Sequence, residues 1–388
     1  MLRKRLLSLL TLALTPALLR AQTTITGSIR FGGTVRDYRL YVPRAYTGSR
    51  PVPLLLNLHG YGSNNVEQEQ YGDFRAIADT ANFLVLHPNG TVDAAGNRYW
   101  NTFTAPNSGG PDDVAFLTAL LDSVSARYRV EPGRVYSTGM SNGGFMSYEL
   151  ACQLSGRIAA IASVTGSMVA SRQAACAPTR PVPILEIHGT ADGTVPYNGN
   201  ILFQPIPTVL SSWVQRNGCN PTPIITQLPD INPTDGSTVE RQLYTGGRNG
   251  SVVEHLRIIG GGHTWPGAPV NIGVTNRDIS ASREIWRFLR PYRLSGLVTT
   301  AREALKQQLT VAPNPARGPV TLRFGAGGLQ PAQVQVTDAV GRVVATPVRR
   351  AADGSLQLAA ESWPAGIYWV RVEVAGQHLY RRLLKVAE

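Results

Sequence analysis

Three glycine-flanked segments carry side chains suited to acyl transfer: Gly139-Met140-Ser141-Asn142-Gly143-Gly144, His188-Gly-Thr-Ala-Asp192 and Gly260-Gly-Gly-His263-Thr-Trp265-Pro-Gly267. Ser141 follows a β-branched run and precedes a helical pattern. Such a strand–turn–helix lifts a serine hydroxyl above a sheet, and small neighbours are needed for so sharp a turn. Gly-x-Ser-x-Gly alone also describes an ordinary strand–helix turn. Serine is a weak nucleophile and needs a base. Of six histidines, His87 and His188 end apolar runs, His255 lies inside a strand pattern, and His378 falls in a late all-β region. His263 sits in a flexible loop between a strand and the last helix of the main region, as a proton carrier should. Where the order is serine, acid, histidine, the acid lies between 141 and 263. Asp192, in a Gly/Pro loop after a strand, fits, and would fix the His263 tautomer; its other reading is a turn cap. Asp230, Asp235 and Asp278 remain as less favoured acids. The oxyanion donors expected are the N–H of Asn142 and the N–H of Tyr61, in the His59-Gly60-Tyr61-Gly62-Ser63 turn.

These residues require strands that end beside one another. Residues 25–42 pattern as a hairpin turning at Phe31-Gly32-Gly33. Residues 53–59, 83–87, 134–139, 158–164 and 182–188 are short apolar or β-branched runs, the signature of buried strands. Helical spacing appears over 68–81, from Val114 to Tyr128 after Asp112-Asp113, and over 145–154, 207–215 and 280–289. Alternating strand and helix predicts an α/β fold, a doubly wound and mostly parallel sheet with helices on both faces. After residue 294 the pattern changes to short alternating runs at 320–324, 334–338, 367–374 and 379–386, a small all-β sandwich.

Composition narrows the classes. The chain has 388 residues, 43% hydrophobic and 16% charged, with 39 Gly and 27 Pro without a collagen period. This excludes a charged disordered chain and a triple helix. The formal charge is +12, but it is spread along the chain, with no basic stripe interleaved with aromatics. A nucleic-acid partner is therefore not expected. Residues 23–293 contain no lysine. Arg3, Lys4 and Arg5 before the apolar run Leu6 to Leu14, with a cut near Ala21-Gln22, read as a secretory signal peptide. No later run reaches the ~20 apolar residues of a transmembrane helix. Export places the three cysteines in an oxidising compartment; their odd number leaves at least one unpaired within the chain, and their spacing fits no zinc site. No metal or other cofactor is expected. The expected domains are a signal peptide at 1–21, a catalytic domain at 22–293, a linker at 294–308 and a β-sandwich at 309–388.

Taken in order, His-Gly-Tyr-Gly-Ser, the Asp-Asp-Val of 112–114, Gly-Met-Ser-Asn-Gly-Gly, His-Gly-Thr-Ala-Asp-Gly-Thr-Val-Pro-Tyr and Gly-Gly-Gly-His-Thr-Trp-Pro-Gly resemble secreted feruloyl esterases and poly(3-hydroxybutyrate) depolymerases. These are α/β-hydrolases related to carbohydrate esterase family one, and the resemblance spans about residues 25–293. It implies Ser141, Asp192 and His263 as the triad. It also implies that Trp100, Asn101 and Trp265 lie near the acyl pocket; core packing is the other reading of these aromatics. Relatives usually pair the cysteine of an Asn-Gly-Cys segment with one in a later strand. Here Cys219 meets Tyr244-Thr-Gly-Gly247 instead, so Cys219 is expected to be free. Cys152 and Cys176 are then the candidate pair, or two buried thiols.

The tail carries Val311-Ala-Pro313-Asn314-Pro315, Asp338-Ala-Val-Gly341-Arg342 and Pro364-Ala-Gly366-Ile-Tyr368. It resembles the type A sorting domain of type IX secretion. This implies the type IX machinery as a partner and release, or attachment to the outer surface, as the fate. A carbohydrate-binding sandwich is the other reading. The expected function is a secreted serine esterase acting on feruloyl or acetyl esters of plant polysaccharide. An extracellular polyester depolymerase is the alternative activity, and a non-catalytic surface-binding protein the alternative class.

Overall fold

The computed structural model describes residues 23–104, 109–294, 309–324, 331–338, 342–344, 346–351, 353–374 and 377–387. The expected signal peptide at 1–21 and nearly all of the linker at 294–308 lie outside the described residues.

The described residues open with a hairpin, β1 (Thr23–Phe31) and β2 (Thr34–Val42), turning through Gly32 and Gly33 at φ 55° and 82°. Two successive positive φ values make the turn whose twist matches the strands, and glycine supplies them freely. Then follow β3 (Val52–Leu58), α1 (Asn65–Tyr71), α2 (Arg75–Ala81), β4 (Leu84–Pro88), the short pair β5 (Thr91–Val92) and β6 (Arg98–Tyr99), α3 (Asp113–Arg127), β7 (Val130–Met140), α4 (Asn142–Gln153), β8 (Ala160–Val164), α5 (Ala170–Ala175) and β9 (Ile184–Gly189). The domain ends with α6 (Ile206–Asn217), β10 (Ile224–Gln227), β11 (Thr238–Tyr244), β12 (Val253–Ile259) and α7 (Ala281–Leu289).

Ten strands form one sheet in the order β1-β2-β4-β3-β7-β8-β9-β12-β11-β10. The six from β4 to β12 run parallel, and each edge is closed by antiparallel strands. Every residue of β3 is buried. Leu54, Leu56 and Leu58 enter one core and Leu55 the other, the period of two of a strand covered on both faces. α3, α4 and α6 cover the first face through Phe116, Leu120, Met146, Leu150 and Trp213. α2 and α7 cover the second through Ala78, Ile285 and Phe288. The α/β, doubly wound, mostly parallel architecture is therefore as the sequence implies.

Particular elements differ. The helix expected over 68–81 is two helices. Gly72 ends α1, and a Cβ there would meet Gln68 Nε2 at 2.8 Å and Trp265 at 3.2 Å, so the chain breaks around the Trp265 indole. β10 and β11 were not foreseen: β10 is exposed throughout, and its apolar alternation is absent. At α3 the Asp112 carboxylate accepts from Ala115 N at 2.9 Å, a cap legible in the sequence.

The C-terminal sandwich comprises β13 (Leu309–Ala312), β14 (Val320–Phe324), β15 (Pro331–Asp338), β16 (Val343–Val344), β17 (Val348–Arg350), β18 (Leu356–Leu358), β19 (Gly366–Val374) and β20 (Gln377–Lys385). Two four-stranded sheets, β13-β14-β18-β17 and β16-β15-β19-β20, share a core of Val320, Leu322, Leu358, Val370, Val372 and Leu383. The sorting motifs are its fasteners. Asn314 Nδ2 donates to Arg382 O and its Oδ1 accepts from Leu384 N, both at 2.9 Å; Tyr368 OH donates to Pro364 O at 2.8 Å.

Cys152 and Cys176 are disulfide-bonded across 24 residues, tying α4 to the end of α5. Cys219 is free and buried, and burial pushes its thiol up. A Cβ on Gly247 would stand 2.7 Å from its Sγ. Cys176→Ser is expected to lower stability by roughly 3 kcal/mol, as the loop length implies, read as a lower urea midpoint, with m rising as the unfolded chain expands. An unchanged midpoint would show that the cross-link contributes nothing.

Candidate active site

Ser141 is the single residue between β7 and α4, with φ 54° and ψ −122°. A side chain at positive φ is strained and persists only where its surroundings impose it. The glycines let them do so. A Cβ on Gly143 would stand 2.2 Å from Leu58 O, and one on Gly139 would stand 2.5 Å from Gly143 C. The first turn of α4 thus lies on the end of β3. Ser141 N donates to Val164 O at 2.8 Å, tying the turn to β8 as well. Strand order reverses here: from β3 the chain moves to β4 on one side, from β7 to β8 on the other. The crevice at such a switch point, outside the carboxyl ends of the strands, is where open α/β sheets bind ligands.

His263 and Asp192 meet: Nδ1 lies 2.7 Å from Oδ2. Asp192 Oδ1 accepts from Thr194 N and Val195 N, both at 2.8 Å. Burial pushes this carboxyl up, but hydrogen bonds from His188 and His263 outweigh it and hold it well below the usual carboxylate range. The His263 loop reaches Asp192 because Gly189 has no side chain; a Cβ there would stand 2.2 Å from Gly261 O. The other candidate acids are engaged elsewhere. Asp235 accepts from Ser237 and Arg277 N, and Asp278 from Ile231 N and Asn232 N. Asp230 is exposed.

Gly60 brings the turn after β3 against the serine, since a Cβ on it would lie 3.5 Å from Ser141 Cβ. His59 is fully buried, with Nδ1 2.7 Å from Gly60 O and Nε2 accepting from Gly90 N at 2.9 Å. Burial lowers this imidazole to about 4, so the ring is neutral and Nδ1 carries the proton. In a trans peptide the C=O and the following N–H point opposite ways. Holding Gly60 O toward His59 therefore turns the Tyr61 N–H away from it. The Tyr61 hydroxyl donates to Asp93 at 2.6 Å and pins the turn from outside. Asn142 opens α4, so its N–H has no partner within the helix. Its side chain accepts from Trp100 N at 2.6 Å and donates to Trp100 O at 3.0 Å.

Ser141 and His263 line one cavity of about 510 Å³ together with Gly60, Tyr61, Gln68 and Gln70. Tyr71, Met140, Pro269, Val270 and Ile272 make most of its remaining wall. Trp100, Asn101 and Trp265 do not line it, which corrects the expectation for these three. Trp100 is wholly buried; its indole Nε1 donates to His59 O at 2.9 Å. Trp265 is 1% exposed, donates to Ser282 Oγ and packs edge-on to Phe74. Asn101 N donates to Asp113 Oδ2 at 2.7 Å, and its side chain faces a separate cavity. Both indoles support the wall from behind, as core packing does.

Sequence reasoning missed the Arg36–Asp113 pair. Both side chains are at most 4% exposed, 2.6 Å apart. Arg36 lies over the Phe116 ring and also holds Asn89 O, while Asp113 holds Asn101 N. The Asp-Asp-Val run was the signal: the second Asp serves the site, not only the helix start.

Residues 36–180 match the family described as esterase PHB depolymerase, and residues 310–386 match the secretion system C-terminal sorting domain. The NocK protein of Nocardia uniformis subsp. tsuyamanensis, whose name assigns it to the esterases, is 30% identical over 69% of this chain and 83% of its own length. Feruloyl esterase B of Piromyces equi is 31% identical over 57% of this chain and 41% of its own. A bifunctional acetylxylan esterase/xylanase of Neocallimastix patriciarum is 27% identical over 72% of this chain and 36% of its own. The chain thus spans well under half of these last two, longer relatives.

Two outcomes follow from the histidines. His59→Leu frees the Gly60 peptide and is expected to lower kcat on the order of a hundredfold, with KM little changed; an unchanged kcat would refute the positioning of the turn. His59, His87 and His255 are buried, and burial lowers them to about 4, about 4 and about 3. Below the unfolded value of about 6.5 the unfolded chain binds protons that the folded one refuses, so stability rises with pH between about 4 and 6.5. Melting temperature across that interval checks it; a flat profile contradicts the burial of neutral rings.

Proposed function

The chain belongs to the esterase PHB depolymerase family, and from that premise we propose that it is a serine esterase that removes a bulky apolar acyl group, feruloyl foremost, from plant polysaccharide. It is a carboxylic ester hydrolase, and its sorting domain makes it a secreted or surface-attached one. The observation that carries the finer reading is the shared cavity. A strained serine and an acid-supported histidine open onto about 510 Å³ of mostly apolar wall. An acetyl group would leave most of that volume unfilled, whereas an aromatic acyl chain buries apolar surface against Tyr71, Val270 and Ile272.

In this reading His263 Nε2 takes the Ser141 proton as Oγ attacks the ester carbonyl. Asp192 accepts the His263 Nδ1–H and stabilises the imidazolium. The N–H groups of Tyr61 and Asn142 bind the oxyanion, where fixed donors are worth most. His263 then protonates the leaving sugar hydroxyl, and water releases the acid from the acyl-enzyme by the same path in reverse. The catalytic part is residues 22–293 and the sorting part 309–388, with 1–21 removed on export through a first membrane and 294–308 as the connection.

A second reading, an aliphatic polyester as substrate, is favoured by one feature. Tyr61, Val270 and Ile272 are 51%, 59% and 59% exposed at the cavity mouth, an apolar rim that suits a flat polymer surface.

The test offers the mature chain feruloylated arabinoxylan, acetylated xylan and poly(3-hydroxybutyrate) at matched enzyme, with Ser141→Ala as control. Ferulate release well above acetate release is expected, and Ser141→Ala should lose at least about a thousandfold. A fluorophosphonate should label Ser141. Hydroxybutyrate as sole product would move the substrate to polyester, and an unlabelled, folded protein would refute the serine mechanism.

A further inference from the structure

Polar groups continue behind Asp192, into the centre of the sheet. Glu186 and His188 stand two residues apart on β9, so both project to the same face of the strand. Both side chains are wholly buried. His188 Nδ1 lies 2.9 Å from Glu186 Oε1. His188 Nε2 lies 2.8 Å from Val195 O and 3.4 Å from Asp192 Oδ2. Glu186 Oε2 accepts from the buried Tyr148 hydroxyl at 2.8 Å.

Each ring nitrogen of His188 thus faces only acceptors. A neutral imidazole has one N–H and one lone pair, and would set that lone pair against an oxygen. An imidazolium satisfies every contact. The Tyr148 hydroxyl, spent on Glu186, favours the carboxylate over the acid. We propose that Glu186 and His188 are positioning residues of the catalytic machinery: a buried carboxylate–imidazolium pair that clamps Asp192 as the anion with Oδ2 aimed at His263.

The electrostatics agree for His188. Burial alone would discharge it, but hydrogen bonds to Asp192 and Glu186 raise it to about 9. Burial leaves Glu186 raised on balance, with the bonds to His188, Ser163 and Tyr148 offsetting part of the rise. The groups facing this pair from neighbouring elements are few. Tyr148 comes from α4; His255 of β12 places Nδ1 3.1 Å from Glu186 O and is held neutral by burial. Tyr197 OH meets His255 Nε2 at 3.2 Å, and Arg257 lies beyond, over the Tyr197 ring. The row of charges from the interior outward is therefore minus, plus, minus, ending at His263. A carboxylate this deep with a bare histidine would be costly to keep ionised; the inserted cation holds it so.

The proposal makes the two partners act on His263 with opposite sign. Glu186→Gln removes the far negative charge and leaves the cation, so the His263 imidazolium is less stabilised and the acid limb of kcat/KM moves to lower pH. His188→Gln removes the cation nearest Asp192, so that limb moves to higher pH. Each shift is expected to be roughly half a unit or more. Loss of the clamp should also lower kcat on the order of tenfold to a hundredfold. A purely structural pair would lower stability in both variants without displacing the limb in opposite directions.

The experiment records pH–rate profiles of the full chain, Glu186→Gln and His188→Gln on a small soluble ester. It adds ¹⁵N NMR of the His188 ring in the wild type at pH 7. Two ring N–H protons and opposite limb shifts are expected. One ring N–H, shifts of the same sign, or an unmoved limb in folded Glu186→Gln would each overturn the proposal. The ring signature needs no variant and decides the matter if His188→Gln does not fold. The inference rests on the triad reading: full activity in Ser141→Ala would sink that reading, whereas an unmoved limb in an otherwise serine-dependent enzyme sinks this one alone.

Discussion

The positive-φ turn at Ser141 is the constraint around which the rest is arranged. Backbone held at φ 54° relaxes unless both flanks are fixed. One flank is β7, hydrogen-bonded between β3 and β8. The other is α4, whose first turn can lie on Leu58 O only because residue 143 is glycine. The same approach of α4 to β3 brings Gly60 beside Ser141. The strained turn and its closeness to the segment after β3 are therefore consequences of a single close contact between helix and strand.

A second layer of buried polar groups keeps that geometry. Asn142 is gripped by the Trp100 backbone, Trp100 by the His59 carbonyl, and the following residue, Asn101, by Asp113. Asp113 in turn pairs with Arg36, reaching the second strand of the sheet. Removing one member would leave a buried charge or donor unpaired, which typically costs about 3–5 kcal/mol for an ion pair. Arginine suits these places because its planar fork serves several acceptors at once. Elsewhere Arg216 Nη2 holds Gln173 O, and Arg248 Nη2 holds Arg216 O, capping the last turns of α5 and α6.

The candidate site was more legible in the sequence than its surroundings. Gly139 and Gly143 announced a sharp turn, and both are found where backbone approaches too closely for a side chain. Five apolar runs mapped onto central parallel strands, since burial on both faces leaves a continuous signal. β10 and the break at Gly72 were not legible, because an exposed edge strand has no apolar period and the break is dictated by Trp265, distant in sequence. Trp100 and Trp265 show the same limit: an aromatic beside a motif signals proximity to the site, but which face of the wall it occupies depends on packing from both sides. The Glu186–His188 pair was hidden for a related reason. Two polar residues in an apolar strand look like interruptions until the loop that folds over them is known.

This division follows from where each part is built. Ser141, Asp192 and the glycines beside them stand at the ends of β7 and β9, whose position is set by the sheet and its two cores. Much of the cavity wall comes instead from α1 and from residues 269–272, outside the strands. Substitutions at Tyr71, Val270 or Ile272 can reshape the volume facing Ser141 without disturbing the turn that bears it, as scaffolded loops generally allow. The acyl group selected can thus diverge while the strand-end geometry stays constant, since one scaffold supports many chemistries.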